Sequence, residues 1–397
     1  MSAWANHAFA TTVLVGLFPI FFDKYWAAAL PGTRSTFYLG LANSGASFVV
    51  MLIAPWLGTL ADRRGAKKFW FGVSTALGAA GTAALAVIGA GQWGLALLVF
   101  ALASVGFFAG SSFQDALIVQ VASPAQSNRV SALGFALGYL GGGLLFLVNV
   151  LMVLHPHAFH LPDTTAATRV AFLDVALWWV LFTLPLFVRV PEAAPTAGGA
   201  TWGALWSTIR HVLQDRPVLH FLLAYWLYID GIATLQQMAV DFGAKLGFST
   251  SALIQALLLV QFISFPCALL FGRLGDRIGP RRAIYLGLAV FVAVSVFAYY
   301  MQTERQFYVL AAIVGTVQGG VQALSRSYFT RLIPRERSGE YFGFYNMLAK
   351  FAAVLGPLAM GVVAIATGNQ RLSILVLALF FVGGAWLLAR VRDPAPA

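Results

Sequence analysis

Four charged side chains lie deep inside long apolar runs of the sequence, where ionised groups are costly. They are Asp115, Asp230, Arg326 and Lys350, whereas Asp174 lies near the end of its run and is interpreted as an end-of-helix residue. A charge at the centre of a lipid bilayer costs at least about 2.5–3.5 kcal/mol, so each one needs a partner or a watery cavity. Carboxylates in such surroundings can also take up and release protons, which makes Asp115 and Asp230 candidates for proton coupling. These residues therefore indicate ion or solute binding within a membrane.

Polar residues recur at helical spacing with these charges and extend the predicted binding set. Gln318, Gln322 and Arg326 follow one another at intervals of four. Asn346 likewise stands four residues before Lys350. Residues at i and i+4 share one helix face, so these groups can line a common surface. The predicted substrate-binding residues are Asn6, Thr12, Asp115, Asp230, Gln318, Gln322, Arg326, Tyr345, Asn346 and Lys350.

Both signs of charge in one cavity would suit a zwitterion such as an amino acid. Its carboxylate would bind Arg326 or Lys350. Its ammonium would bind Asp115 or Asp230. The alternative is that these charges satisfy one another and that the ligand is neutral; the sequence leaves both readings open.

The composition requires a membrane protein. Of the 397 residues, 60% are hydrophobic and 10% are charged, against roughly 25% charged in a soluble domain. This balance excludes a soluble enzyme, a disulfide-rich secreted protein and a disordered chain. The one cysteine, Cys267, lies in an apolar run and offers neither an intrachain disulfide nor a cysteine metal site.

The apolar runs predict an all-α integral membrane protein with twelve transmembrane helices, because each crossing needs about 20 apolar residues. The predicted spans are 4–26, 37–60, 69–89, 94–122, 130–154, 169–188, 217–241, 250–273, 281–302, 306–332, 340–365 and 371–390. Most Lys and Arg residues between the spans fall on one side when both termini are cytoplasmic, as the positive-inside rule requires. The net charge of +11 then faces anionic lipids of the cytoplasmic leaflet rather than nucleic acid.

Residues 189–216 are the longest stretch between spans and divide the chain. The prediction is a six-helix bundle over 1–188, a cytoplasmic linker over 189–216 and a second six-helix bundle over 217–397. Trp202, Trp206 and Leu213 belong to an apolar stripe at helical spacing within the linker. The stripe predicts a short helix lying on the inner membrane surface, with a plain tether as the alternative.

A repeated motif supports two parallel halves. The loop after the second span, from Gly58, reads Gly-Thr-Leu-Ala-Asp-Arg-Arg-Gly-Ala-Lys-Lys. The loop after the eighth span, from Gly272, reads Gly-Arg-Leu-Gly-Asp-Arg-Ile-Gly-Pro-Arg-Arg. The same motif after the second and the eighth predicted spans indicates that the two halves of the chain are pseudo-repeats, as in many secondary transporters.

These two loops resemble the signature loop of the major facilitator superfamily, and the resemblance covers the whole chain. Three further stretches resemble its vacuole-effluxer-like branch, which is named for fungal permeases that export amino acids from the vacuole. They read Trp-Ala-Asn-His-Ala-Phe-Ala-Thr-Thr at 4–12, Gly-Phe-Ala-Leu-Gly-Tyr-Leu-Gly-Gly-Gly at 134–143, and Gln-Ala-Leu-Ser-Arg-Ser-Tyr-Phe at 322–329, continuing through Gly356-Pro357. The resemblance implies a major facilitator fold that works by alternating access.

The resemblance also implies that the two loops close the cytoplasmic side. Asp62 would accept hydrogen bonds at the start of the eleventh helix, near residues 338–339. Asp276 would do the same at the start of the fifth helix, near residues 127–128. The predicted gating residues are Gly58, Asp62, Arg63, Gly65, Gly272, Asp276, Arg277 and Gly279.

Asp115 and Arg326 are expected at similar depth. At 1.5 Å per residue, both lie roughly 9–10 Å from the inner ends of their predicted helices. The resemblance places helices 1, 4, 7 and 10 around the central cavity, so Asp115 and Arg326 would meet across the two halves and close the cytoplasmic side. The alternative is a pairing within one half that fixes packing.

The sequence contains no Walker, Rossmann, zincin or nucleophile-elbow motif in a suitable context, so we expect no enzyme activity, no ATP site and no cofactor. His155, His157 and His160 lie in one outer loop, which we interpret as solvated rather than metal-binding.

The leading hypothesis is a secondary transporter that exports a small solute, with amino acids or similar zwitterions favoured and proton coupling through the buried carboxylates. One alternative is multidrug or lipid-like efflux, for which the Phe-rich spans would supply an apolar cavity. Another is a non-transporting sensor or assembly module, which predicts that the four membrane charges are buried in packing. We expect a monomer in a bacterial inner membrane, with the solute and anionic lipids as partners.

Overall fold

The computed structural model describes residues 1–30, 32–192, 195 and 210–391. Its long helices are α1 (Ser2–Trp26), α2 (Gly32–Arg64), α3 (Lys67–Leu85), α4 (Trp93–Val121), α5 (Ser127–Leu154), α6 (Thr164–Arg189), α7 (Arg216–Lys245), α8 (Thr250–Ile278), α9 (Pro280–Tyr300), α10 (Glu304–Leu332), α11 (Ser338–Thr367) and α12 (Gln370–Ala389). Short 3-10 turns cover Pro156–Phe159 and Arg335–Arg337.

Eleven helices in the described part of the chain are long and apolar enough to cross a membrane. The predicted third span coincides with α3, a helix of 19 residues that falls outside this group. Its sequence begins with two lysines and is rich in Gly, Ala, Ser and Thr, which lower its hydropathy without preventing a helix. The all-helical prediction is confirmed for the described residues, and the crossing of the membrane by α3 stays a prediction.

Several of the long helices begin with side-chain caps. Asp163 accepts a hydrogen bond from the Ala166 N–H at 2.7 Å before α6, and Ser249 caps α8. Thr303 and Gln306 form a capping box at the start of α10. Such caps satisfy amide groups that a helix leaves open at its first turn.

The buried side chains fall into two large clusters. One is built around Trp26, Phe172 and Trp179 and draws its members from α1 and α3–α6. The other, which includes Tyr228 and Phe291, is drawn mainly from α7–α12. The two sets of helices meet where α2 packs on α11, α5 on α8 and α10, and α4 on α11. The predicted linker helix falls largely outside the described residues, although residues 210–214 are helical.

Glycines let α2 and α11 approach backbone to backbone. A Cβ added at Gly58 would collide with the carbonyl group of Gly339. One added at Gly343 would lie 2.8 Å from the Ala54 carbonyl oxygen. The crossing of α8 and α5 is tight in the same way, because a Cβ at Gly272 would meet the Ala132 side chain. Small residues permit these close helix crossings. The crossings place the loop residues of one helix set in contact with the other set.

The variant Gly58→Ala should therefore lower protein stability by about 1–3 kcal/mol, because the added methyl group would clash with backbone atoms of α11. Gly45→Ala is the matched control on the same helix, since nothing lies within 4 Å of a Cβ added there. The control should leave stability unchanged or raise it slightly, since alanine is the better helix former. Thermal unfolding of both variants in detergent checks the difference, and equal unfolding temperatures would contradict the close crossing.

Candidate functional site

The first closing contact joins Asp62, at the end of α2, to the start of α11. Its two carboxylate oxygens accept hydrogen bonds from the N–H groups of Gly339 at 3.1 Å and Glu340 at 2.8 Å. Lys67 forms an ion pair with Asp62 at 2.6 Å and donates to the Ser338 hydroxyl at 2.9 Å. The side chains of Asp62 and Lys67 are both fully buried. The predicted contact at the start of the eleventh helix is confirmed, and the open amides there favour an anion.

The second motif makes a looser contact at the predicted place. Asp276 accepts a hydrogen bond from the Asn128 amide at 3.1 Å and pairs with Arg129. These partners are side chains rather than backbone N–H groups, and the Arg129 side chain is 74% exposed. Arg281 occupies the position equivalent to Lys67, but it donates to the Ala389 carbonyl instead. Two copies of one motif therefore contact the opposite helix set at the same end of the bundle, the first through buried partners and the second through a partner that is largely exposed.

The other predicted gating residues shape these loops. Gly65 and Gly279 have φ of 59° and 87°, values that glycine adopts without strain, and they end α2 and α8. Arg63 is half-buried and Arg277 is exposed. Asp62, Lys67, Asp276 and their partners define what we call the closed end, where α2 and α8 end and α5 and α11 begin.

Inside the closed end, Arg326 of α10 makes its contacts with the opposite helix set. It forms an ion pair with Asp115 of α4 at 2.9 Å. Its other nitrogens donate to the Ser131 hydroxyl at 2.9 Å and the Ser131 carbonyl at 3.0 Å. Its guanidinium carbon lies 4.7 Å from the ring centre of Phe135. The predicted pairing across the interface is confirmed, and the alternative of pairing within one half is wrong.

Asn346 and Tyr345 lie beside this pair on α11. The Asn346 amide donates to the second carboxylate oxygen of Asp115 at 3.1 Å. Tyr345 instead stacks on Tyr225 with ring centres 3.9 Å apart and is 3% exposed. Asn346 therefore supports the ion pair, whereas Tyr345 belongs to the aromatic packing of α7 and α11.

Asp230 contacts α11 next to a proline inside that helix. Its carboxylate accepts hydrogen bonds from the Gly356 N–H at 2.9 Å and from the Thr234 hydroxyl at 3.2 Å. Pro357 has no N–H of its own, so α11 lacks one regular hydrogen bond beside this contact. Asp230 is 2% exposed and faces α11 rather than the cavity.

A cavity of about 380 Å³ lies between the two helix sets. It extends from Gln322 and Lys350, near the Arg326 pair, toward the starts of α8 and α10 at Leu253 and Phe307. Its wall combines residues of α1, α4, α5, α7, α8, α10 and α11. The Lys350 ammonium lies 3.4 Å from the ring centre of Phe108. The cavity therefore reaches one end of the bundle, and the closed end blocks the other.

The predicted polar residues divide between this cavity and the surrounding packing. Gln318, Gln322 and Lys350 line the cavity. Asn6 lies outside its lining; it accepts a hydrogen bond from the Trp179 indole at 2.6 Å and donates to the Gln114 side chain at 2.8 Å. Thr12 is fully buried and also lies outside the lining.

Sequence reasoning missed the residues of α1 and α8 that do line the cavity. His7 and Thr11 face it at a spacing of four, a pattern that was visible in the sequence. The Gln261 amide donates to the Thr11 hydroxyl at 2.7 Å and so joins α8 to α1 across the helix sets. Residues Phe9–Leu17 are π-helical. Within this segment Thr11 lines the cavity, whereas Thr12 is buried in the packing.

A further contact at the closed end also had no sequence pattern to reveal it. Arg335, in the turn before α11, donates hydrogen bonds to the carbonyls of Val119 and Ala122. These carbonyls belong to the last turn of α4, where a cation is favoured by the helix dipole. Arg335 thus adds a third contact between the two helix sets at this end.

Comparison with solved structures shows which fold the helices adopt. The human organic anion transporter MFSD10 (TETRAN) superposes with a TM-score of 0.77 at 16% identity, covering 98% of this chain and 97% of that chain. The two helix sets with a cavity between them therefore share the fold of that transporter.

The chain belongs to the family described as vacuole effluxer Atg22 like, whose model matches residues 33–393. An uncharacterized MFS-type transporter, YxiO of Bacillus subtilis, is 37% identical over 98% of this chain and 93% of its own length. Autophagy-related protein 22 of Yarrowia lipolytica is 28% identical over 67% of this chain and 51% of its own length. The family match and the similarity to an MFS-type transporter confirm the predicted family. The chain is a multi-pass membrane transporter of the major facilitator type and not an enzyme.

Proposed function

We propose that the protein exports a small solute by alternating access, with amino acids or similar zwitterions favoured as substrates. In this proposal α3 is the twelfth crossing and both termini are cytoplasmic. Residues 1–188 and 217–397 form two six-helix halves that rock about the cavity. The membrane is a bacterial plasma membrane; a relative from Bacillus supports this location, and the family description as effluxers supports export.

One observation carries the proposal: the cavity is shut at one end by contacts that join the two helix sets. The pairs Arg326–Asp115 and Asp62–Gly339, together with Asp276–Asn128, would break if the halves separated there. Contacts of this kind favour one conformer over the other and let a bound solute shift the balance. This is the arrangement that alternating access needs.

The charges support the solute class. Lys350 lines the cavity, and the Asp115–Arg326 pair lies just beyond it, so both signs of charge are close to a bound molecule. Asp115 and Asp230 are the carboxylates proposed for proton coupling, since both lie within spans and are largely removed from solvent. Asp115 accepts a hydrogen bond from Arg326 of the opposite half, and Asp230 accepts one from a backbone N–H of α11. Relative movement of the halves or of α11 would therefore change the surroundings of both carboxylates.

The lining also favours a second candidate, efflux of lipophilic compounds. Phe107, Phe146, Leu257 and Val260 are among the many apolar residues in the cavity wall. The non-transporting module is disfavoured because it requires all four membrane charges to be buried in packing, and Lys350 lines the cavity.

Counterflow in proteoliposomes tests the proposal. Vesicles loaded with unlabelled mixed amino acids should transiently accumulate labelled amino acids through the wild-type protein. Arg326→Ala should abolish the accumulation, because it removes the pair that closes the cavity. Arg305→Ala is the matched control, since Arg305 is exposed on the same helix.

Accumulation by wild type and by Arg305→Ala, lost in Arg326→Ala, would establish amino-acid transport. No accumulation from folded and correctly inserted wild-type protein would remove amino acids as substrates and favour lipophilic solutes.

A further inference from the structure

Lys350 has a different environment from the other charges within the spans. It lies on α11, one turn beyond Asn346, and lines the cavity, while its ammonium lies against the ring of Phe108 at the edge of the lining. An aromatic face attracts a cation, but it supplies neither a full negative charge nor a hydrogen-bond acceptor of carboxylate strength. Within the described part of the chain, Lys350 makes no ion pair.

The neighbouring charges are already satisfied. Arg326 is paired with Asp115 and bonded twice to Ser131. Asp115 acts on Lys350 through space, but its two oxygens are taken by Arg326 and Asn346. Asp230 is bonded within α7 and to α11 and lies outside the lining. Of the cations considered for a substrate carboxylate, Arg326 is therefore occupied in this conformer and Lys350 is available.

The cavity wall offers no carboxylate to a positive group: among its lining residues that the structure describes there is no Asp or Glu. A buried ammonium without a counter-ion is costly because the surroundings have a low dielectric constant. The low dielectric constant also strengthens the attraction between the ammonium and an anion that binds in the cavity. The electrostatics of the cavity therefore favour a ligand that brings a negative group.

The other residues that line the cavity indicate the chemistry of the rest of that ligand. Gln322 lines the same cavity as Lys350 and has no hydrogen-bond partner within the described residues, so its amide can donate to an anion. Toward the open end the wall is formed by side chains such as Phe146, Leu257 and Val314. A volume of about 380 Å³ and this polarity suit a small molecule with one anionic end and an apolar body.

We propose that Lys350, assisted by Gln322, is the anchor for the carboxylate of the transported solute, and that no acidic group of the cavity holds the ammonium. The inference rests on the proposed function and specifies its substrate recognition: the carboxylate is required, whereas the amino group of an amino acid is dispensable. Apolar amino acids and the corresponding simple carboxylic acids then share one site.

Three matched probes test this directly: leucine, its deaminated analogue 4-methylpentanoate, and its decarboxylated analogue 3-methylbutylamine. The full-length protein in detergent is titrated with each, and the increase in unfolding temperature gives an apparent Kd. Leucine and 4-methylpentanoate should stabilise the wild type to a similar extent, and 3-methylbutylamine should not. Lys350→Met should weaken binding of both carboxylates about tenfold or more, which is the effect expected for losing one charge-assisted contact.

Two further variants keep the result interpretable. Lys350→Arg should retain most of the carboxylate binding, because it keeps the charge. Lys24→Met, which removes an exposed lysine at the end of α1, should bind as the wild type does.

The inference is overturned if 3-methylbutylamine stabilises as well as the carboxylates, if the carboxylates have no effect, or if Lys350→Met binds them normally. Failure of the proposed function is a separate result: carboxylate binding would persist in this assay while amino-acid counterflow is absent.

Discussion

Replacing Asp62 with alanine is expected to destabilise the protein by about 3–5 kcal/mol, because the change leaves a buried lysine without its counter-ion. Lys67 is fully buried with Asp62, at a distance of 2.6 Å. The same change removes the acceptor of the Gly339 and Glu340 N–H groups at the start of α11. Thermal or denaturant unfolding in detergent measures the loss.

The repeated motif supplies the matched control for this prediction. Asp276→Ala should cost about 0–1 kcal/mol, the usual range for exposed pairs, since its partner Arg129 is 74% exposed. The double variant Asp62→Asn with Lys67→Met should recover much of the loss, because it removes both buried charges. Equal costs for Asp62→Ala and Asp276→Ala would show that the two loops are equivalent, contrary to the structure.

Replacing Arg326 with methionine should lower the free energy of unfolding by a similar amount, about 3–5 kcal/mol. Removing one partner of a largely buried ion pair leaves the other charge without a counter-ion. The Arg326 and Asp115 side chains are 7% and 14% exposed. The Ser131 carbonyl also loses a hydrogen bond from the guanidinium group. Unfolding of the purified variant in detergent gives the change in stability.

A double-mutant cycle separates the ion pair from the other contacts of Arg326. Asp115→Asn added to Arg326→Met should restore part of the stability, because no buried charge is then left unpaired. Solute counterflow should stay absent in the double variant, since the closing contact between the helix sets is missing. Independent, additive costs of the two changes would mean that Asp115 and Arg326 do not interact.

Much of this site was accessible from the sequence because charged groups inside a bilayer have few ways to be satisfied. The depth of Asp115 and Arg326 in their spans, together with the helix arrangement that the family resemblance implies, predicted their meeting, and the structure shows it. The partners of Asp62 and Asp276 were implied by the resemblance of the repeated loop, and the structure shows these contacts. For the pair within the spans, a large desolvation cost restricts the possible partners to groups at the same height.

The sequence alone could not distinguish lining residues from packing residues on the polar helix faces. Asn6, Thr12 and Tyr345 share the composition of cavity residues, but they contact neighbouring helices instead. Polar side chains bond equally well to a solute or to a neighbouring helix, so residue type does not decide between these uses. The backbone contact of Gly356 with Asp230 similarly depends on how α7 and α11 pack.

The sequence by itself determined the membrane location, the number and approximate bounds of the long helices, and the residues that must find partners. Hydrophobic length and the cost of burying charge act locally along the chain, so they are visible without a fold. The tertiary structure alone decided that Asp62 binds tightly and Asp276 loosely, and that Arg326 is occupied while Lys350 faces the cavity. These distinctions depend on which helices cross closely and at what rotation, and many distant contacts together set that geometry.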